Sequence, residues 1–190
     1  MARFIVRPST TESTVALLAK SALQAMLGFA IFVIVLPWLA NWLPPSRVPL
    51  PFWPRAVVGG GLFVGGMAVW AVCLDVFSRR GRGTPFPLDA PRHLVTTGLF
   101  AVVRNPIVVG EQAVIWGEAL YLSSLGVLLY ATLATLGSCC IVVYAEEPEL
   151  RERFGEQYEA YCRRVPRWLP RLYTLAGGGA RGGTREPEAD

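Results

Sequence analysis

Four long apolar segments constrain this chain most, because each is close to the length that a helix needs to cross a lipid bilayer. They comprise residues 22–43, 56–77, 107–122 and 125–145. A hydrocarbon core needs about 20 helical residues, so the third segment is short for a span by itself. We expect it to form a hairpin with the fourth through Ser123 and Ser124. The sequence therefore predicts an all-α integral membrane protein with about four transmembrane helices.

The composition agrees with a membrane protein. Apolar residues make up 53% of the chain and charged residues 17%, a balance that soluble domains rarely show. The first segment is longer than the apolar core of a signal peptide, and no A-x-A cleavage site closes it, so we expect a retained helix. The cysteines and the single histidine have no metal-ligand spacing, and we expect no metal site.

The arginines are distributed asymmetrically along the chain. Between the first two segments there are only Arg47 and Arg55, whereas the next connection contains Arg79, Arg80, Arg82, Arg92 and Arg104. Most of the others lie near the two termini. The positive-inside rule then places both termini and the arginine-rich loop in the cytoplasm. Most of these arginines need no role beyond setting the topology.

The arginine-rich loop is also the clearest candidate for a ligand site. Residues 81–85 and 98–106 are rich in glycine, proline and arginine, and they lie between long apolar segments. Irregular backbone cannot satisfy its own polar groups in lipid. The loop must therefore lie in water or face a cavity lined by protein.

A charged helical stretch follows the fourth segment. Leu150, Phe154, Tyr158 and Tyr161 recur at helical spacing and form one apolar stripe. Such a helix is expected to lie on the membrane surface or to dock onto the loop. We accordingly divide the chain into N-terminal transmembrane helices (1–80), a core of loop, hairpin and C-terminal helix (81–172) and a disordered tail (173–190).

Three sequence blocks in this core carry a family resemblance. They are G-R-G-T-P at 81–85, L-V-x-x-G-x-F-x-x-x-R-N-P-x-x-x-G at 94–110, and E-E-P-x-L-x-x-x-F-G-x-x-Y-x-x-Y-x-x-x-V-P at 146–166. In this order they resemble the isoprenylcysteine carboxyl methyltransferases and their bacterial relatives, which merge into the phospholipid methyltransferases. The resemblance covers nearly half of the chain.

The resemblance implies a membrane enzyme of the bacterial inner membrane that uses S-adenosyl-L-methionine (SAM) as methyl donor. It implies a cytoplasmic cofactor pocket closed by the loop, the hairpin and the C-terminal helix. The acceptor would be a lipophilic isoprenoid or lipid, either a carboxylate or an amine, that arrives from the bilayer. Membrane lipids are then the expected surroundings, and no nucleic acid is expected as a partner.

Matched by position, the resemblance also implies site residues. The cofactor contacts would be Arg92, His93, Leu94, Val95, Phe100, Asn105, Pro106, Ile107, Val108 and Glu147. The catalytic residues would be Glu146, on the substrate side, and Arg104, whose guanidinium can pair with a carboxylate. Arg104 could instead anchor the loop to lipid phosphate, and His93 could be an ordinary exposed residue.

The acids Glu146 and Glu147 suit a cationic donor, and at the start of a helix they would gain from the helix dipole. An amine acceptor would need one of them to remove a proton, whereas a carboxylate acceptor would not. They could also simply solvate a surface helix. Within the third segment, Glu111 and Glu118 lie on one helical face, and Glu111 is the better functional candidate because it is near the loop.

Three positions depart from the pattern of the family: Val108, Cys139 and Val142 stand where a hydroxyl-bearing residue, a histidine and an arginine are common. The change at Val142 argues against a prenylated protein as substrate. The three changes also motivate the alternative hypothesis, a catalytically degenerate module for membrane binding or assembly.

Overall fold

The computed structural model describes residue 23 and residues 26–28, 30–42, 47–76 and 93–170. Within these ranges the chain is helical and contains no β-strand beyond one isolated bridge. The α-helices are α1 (Leu36–Ala40), α2 (Phe52–Val76), α3 (Pro106–Leu122), α4 (Leu125–Ile141), α5 (Glu147–Phe154) and α6 (Glu156–Arg164). Two π-helical turns, Ala30–Val35 and Val142–Glu146, precede α1 and α5, and a 3₁₀ turn covers Gly98–Ala101.

Two helices are long and apolar enough to cross a membrane. One is α2, and the other is the continuous helix Leu125–Phe154. Helix α3 has 17 residues, which agrees with its expected shortness. The all-helical class is thus confirmed within the described ranges, which contain two candidate membrane spans, while the count of four spans stays a prediction.

Helices α2 and α3 pack closely through opposed glycines. A Cβ atom on Gly66 would lie 2.6 Å from the carbonyl oxygen of Gly110, and one on Gly117 would lie 2.7 Å from that of Gly59. Small residues allow such backbone contact between membrane helices. Gly61 and Gly65 have the spacing of a small-residue packing motif. A Cβ on either of them, however, would meet no atom of the described residues within 4 Å.

The predicted hairpin of α3 and α4 is present. Ser123 ends α3 in the left-handed region (φ 51°), and Ser124 begins the next helix. Ile115 and Ala119 of α3 form a buried cluster with Val127 and Ala131 of α4. The turn also pairs with the segment before α2, since the Val48 amide donates to the Ser123 carbonyl at 2.9 Å.

Polar side chains cross-link the two arms of the hairpin. The Gln112 amide donates to Ser138 at 3.2 Å, and the Thr135 hydroxyl lies 2.7 Å from the Gln112 Oε1 atom. The Trp116 indole donates to Thr135 at 3.0 Å. These groups satisfy one another between two apolar helices, as polar groups in lipid must.

Helix α4 continues into α5 without a break. The Glu147 amide donates to the carbonyl of Val142, five residues back, which makes the π-helical turn. Pro148 follows directly, and a proline cannot donate the regular helical hydrogen bond. The turn shifts the hydrogen-bond register just before the proline, which keeps the helix continuous. The expectation that Glu146 and Glu147 begin a helix and gain from its dipole was therefore wrong.

The first apolar segment packs against the hairpin. The Tyr130 hydroxyl of α4 donates to the Phe32 carbonyl at 2.6 Å. Pro37, where the sequence predicts a kink, directly follows the other π-helical turn. This arrangement leaves the loop before α3 and the helices after α4 together at the end opposite the Ser123–Ser124 turn.

Candidate functional site

Hydrogen bonds hold the segment before α3 against the C-terminal segment. The Arg104 amide donates to the Pro166 carbonyl at 2.8 Å, and the Tyr161 hydroxyl donates to the Phe100 carbonyl at 2.6 Å. The Asn105 side-chain amide contacts the Arg167 carbonyl at 3.4 Å. Residues about 60 positions apart are thus joined at one end of the molecule.

Apolar contacts support the same docking. Val95 and Phe100 are buried with Cys73 of α2, and Ile107 packs against them. On the other side, Leu94 packs against a cluster that includes Tyr158 of α6. The segment 93–107 therefore lies between the end of α2 and helix α6, where both families of contacts fix its backbone.

The polar centre of this contact is the carboxylate of Glu147, which is 1% exposed. Arg167 donates to it with two nitrogens, Nε to Oε1 at 2.7 Å and Nη2 to Oε2 at 2.9 Å. Arg104 lies 3.1 Å from Oε1, and Arg151 lies 3.5 Å from Oε2. Parallel donation by one guanidinium to both oxygens is the strongest geometry for such a pair. We call these four residues the Glu147 cluster.

Arg104 has a second contact and one unused donor. Its Nη1 also donates to the Cys162 sulfur at 2.7 Å. Its side chain is 11% exposed, and its buried Nε atom has no hydrogen-bond partner in the described part of the chain. A buried donor without a partner is costly, so this atom marks a place where an anionic group would be stabilised.

Glu146, the other acid of the pair, differs from Glu147 in its exposure and in its contacts. It is exposed, and within the described ranges it takes part in no ion pair or hydrogen bond. Glu111 on α3 lies close enough to interact electrostatically with it, and the Trp70 indole donates to Glu111. The end of the hairpin thus presents two carboxylates that no described arginine neutralises.

The predicted cofactor residues fall into three groups. Arg92 lies outside the described residues, and His93 is exposed. Leu94, Val95 and Phe100 point into the apolar clusters described above, so their side chains also serve packing. Asn105, Pro106, Ile107 and Val108 form the start of α3, with Pro106 buried. The structure brings all the described members of the set to one end of the molecule, and the enclosed pocket remains a prediction.

Two important residues were missed by sequence reasoning. Arg167 follows the third family block directly and carries no motif signal, yet it makes the closest contacts to Glu147. Tyr161 was placed only in an apolar stripe, yet its hydroxyl donates to the Phe100 carbonyl. The charge of Arg167, opposite to that of Glu147, was visible, but a separation of 20 residues gives no periodic signal for their contact.

Burial and charge explain the ionisation of these groups. Hydrogen bonding to Glu147 raises the pKa of Arg167, so this guanidinium keeps its charge. Desolvation by burial raises the pKa of both Tyr158 and Tyr161 well above that of a free phenol. The two phenols are therefore neutral at physiological pH and act as hydrogen-bonding and packing groups.

The fold and this site define an all-helical protein with two helices long enough to cross a membrane and a buried ion-pair cluster at one end of the described chain. The chain belongs to the phospholipid methyltransferase family, whose model matches residues 54–157, more than half of the chain. This match confirms the family resemblance carried by the sequence blocks.

Among individual proteins, the chain is 28% identical to methanethiol S-methyltransferase 2 of Bradyrhizobium diazoefficiens. The alignment covers 76% of this chain but only 57% of that protein, so the chain spans little more than half of its relative's length. A thiol as methyl acceptor is a property of that relative.

Proposed function

We propose that this protein is a SAM-dependent methyltransferase that acts on a small lipophilic acceptor with a proton to lose, an amine or a thiol. The observation that carries the proposal is the difference between two adjacent acids. Glu147 is neutralised by arginines, whereas Glu146 is exposed without such a partner next to Glu111. Membership of the methyltransferase family supports the general reaction.

The residues present fit SAM, which has a cationic sulfonium, an ammonium and a carboxylate. Arg104 offers the unpartnered Nε donor that a carboxylate would accept. Glu146 offers a carboxylate for the cationic groups. The backbone from Asn105 to Val108 follows Arg104 directly at the start of α3 and would line the donor.

The electrostatics favour an amine or thiol over a carboxylate as acceptor. Glu146 and Glu111 lie at the end of the hairpin and interact with each other. An amine or thiol can donate a hydrogen bond to either acid, whereas a carboxylate acceptor would be repelled by either acid when it is ionised. The thiol substrate in the name of the Bradyrhizobium relative supports sulfur as one of the two possible acceptor atoms.

Methyl transfer would require two things of this chain: alignment of the acceptor and removal of its proton. When bound, SAM would supply the methyl group from its sulfonium. The chain would align the acceptor behind that group, and alignment alone can contribute several kcal/mol. Glu146 would accept the proton that the acceptor nitrogen or sulfur loses. Positioned bases of this kind contribute about 10²–10⁴-fold.

The arginine distribution supports a topology in which the site faces the cytoplasm of a bacterial inner membrane, with both termini on that side. Donor from the cytoplasm and acceptor from the bilayer would then meet at the end of the hairpin. A sheltered site there would favour the reaction, because charged reactants give products of lower charge.

The first test is binding. Calorimetric titration of the purified full chain in detergent with SAM should show saturable binding. A folded sample that gives no binding heat and no fluorescence change would contradict the proposal and support the alternative, a module for membrane binding or assembly.

The second test identifies the acceptor atom. Membranes containing the protein are supplied with SAM labelled in the methyl group. Label in a volatile thioether or in an alkali-stable lipid amine is expected. Label that alkali releases as methanol would indicate a methyl ester and refute the preference for an amine or thiol.

The third test addresses Glu146. Glu146→Gln should lower turnover by about 10²-fold or more, because it removes the proton acceptor while keeping the size of the side chain. Glu149→Gln is the matched control, since Glu149 pairs with Arg153 on the same helix at 3.3 Å. Equal turnover in the two variants would refute the role of Glu146.

A further inference from the structure

We infer that Glu147 is a positioning residue for the donor half of the site rather than a ligand of the donor. It acts by holding Arg104, and with it the start of α3, against the C-terminal segment. This inference rests on the proposed function for its meaning in catalysis. It gives the two adjacent acids different roles, Glu146 as proton acceptor and Glu147 as positioning residue. The motif and its spacing do not distinguish these roles.

The Glu147 carboxylate has no free acceptor position for a ligand. A carboxylate offers about four acceptor positions. Arg167 occupies one on each oxygen, Arg104 approaches Oε1, and Arg151 approaches Oε2. With only 1% of the residue exposed, a ligand ammonium could reach it only after an arginine had left.

The surroundings of Glu147 are positively charged. Three guanidinium groups surround Glu147, and the additional acid Glu159 contacts Arg151 at 2.8 Å. The cluster therefore has an excess of positive charge. The donor's sulfonium and ammonium would be repelled there, whereas its carboxylate would be attracted.

The Glu147 cluster joins two segments that are distant in the sequence. Arg104 belongs to the segment that leads into α3, and Arg167 belongs to the segment after α6. Glu147 lies on the helix between them and contacts both. The backbone contact from Arg104 to Pro166 lies directly beside this ion pair in the chain. Loss of the Glu147 charge would leave two facing guanidiniums that repel each other across this contact.

The expected consequence is a displacement of the residues next to Arg104, which are Asn105 and Pro106. A misplacement of about 1 Å at a site can cost on the order of a hundredfold in function. Because these residues are proposed to line the donor, the effect should fall mainly on the KM for SAM and less on kcat.

The experiment uses the full chain in detergent micelles and four variants: Glu147→Gln, Arg167→Gln, the double variant, and Glu149→Gln as control. A positioning role predicts that each single change at the Glu147–Arg167 pair raises the KM for SAM about tenfold, with a smaller change in kcat. The double variant should be no worse than the poorer single variant, because both changes break the same contact. The control should retain the wild-type KM.

Arg167→Gln separates positioning from direct binding. If Glu147 were a donor ligand, removing Arg167 would free its carboxylate, and the KM for SAM would stay the same or fall. That result would overturn the inference. Arg167 is 33% exposed, so its variant should fold even if Glu147→Gln does not.

Hydrogen exchange tests the inference without the donor. Glu147→Gln and Arg167→Gln should each accelerate amide exchange in residues 98–106, including the Arg104 amide that donates to Pro166. Unchanged exchange in the variants would overturn the positioning role. If the wild type binds no SAM, the proposed function fails while this measurement still decides whether Glu147 holds the segment.

Discussion

Replacing Gly66 by alanine tests the close contact between α2 and α3. The new Cβ would lie 2.6 Å from the Gly110 carbonyl oxygen and 2.8 Å from the Val114 amide nitrogen. Both are backbone atoms, so relief requires movement of a whole helix rather than a side-chain rotation. Overpacking of this kind costs about 1–3 kcal/mol, and we expect the upper end of that range.

The adjacent residue provides a matched control. A Cβ on Gly65 would meet no atom within 4 Å in the described part of the chain, and alanine is favoured over glycine inside a helix by about 1 kcal/mol. Gly65→Ala should therefore be neutral or stabilising. For a chain of 190 residues, 1 kcal/mol corresponds to roughly 2–4 °C in Tm, so Gly66→Ala should lower Tm by about 6–12 °C.

Thermal unfolding of the full chain in detergent micelles, followed by tryptophan fluorescence, measures both variants. Equal Tm values for Gly66→Ala and Gly65→Ala would refute the glycine contact as the basis of packing between α2 and α3. Because Gly110 lies one helical turn after Pro106, Gly66→Ala should also weaken SAM binding. A destabilised variant with unchanged donor affinity would separate this interface from the site.

Two further predictions concern the tyrosines of α6. Tyr161→Phe removes the hydroxyl that donates to the Phe100 carbonyl at 2.6 Å, and loss of this hydrogen bond should cost about 0.5–1.5 kcal/mol in the same unfolding assay. Tyr144→Phe, at a residue 80% exposed, is the control, and equal Tm values would contradict the hydrogen bond's contribution. Burial raises the pKa of Tyr158 and Tyr161 in the folded chain, so the unfolded chain loses these protons first as the pH rises above about 10. Above that pH, the free energy of unfolding should therefore decrease as the pH rises. If the double variant Tyr158→Phe/Tyr161→Phe shows the same decrease as the wild type, the assignment to these two tyrosines is refuted.

The helical class and the hairpin were accessible from the sequence because lipid leaves few alternatives. An apolar segment that crosses a bilayer must satisfy its backbone internally, so segment length and the small Ser123–Ser124 turn were enough to predict α3 and α4. The docking of the C-terminal helix was likewise visible in the stripe that includes Tyr158 and Tyr161, which the structure buries against the loop.

The contacts between helices could not be predicted in the same way. The glycines of α2 were apparent, but periodicity does not say which side of an almost uniformly apolar helix meets its neighbour. Gly61 and Gly65 have the spacing of a packing motif but contact none of the described helices, whereas Gly59 and Gly66, seven residues apart, meet α3. Only the position of the partner helix distinguishes the two pairs.

The sequence by itself determined the kind of molecule: membrane helices, a polar loop that cannot face lipid, and three blocks shared with a methyltransferase family. The tertiary structure alone decided which groups surround each of the two neighbouring acids. Glu146 and Glu147 are identical in chemistry and adjacent in the chain, but successive residues on a helix point about 100° apart. One side chain therefore enters a group of arginines drawn from distant segments, while the other faces outward beside Glu111.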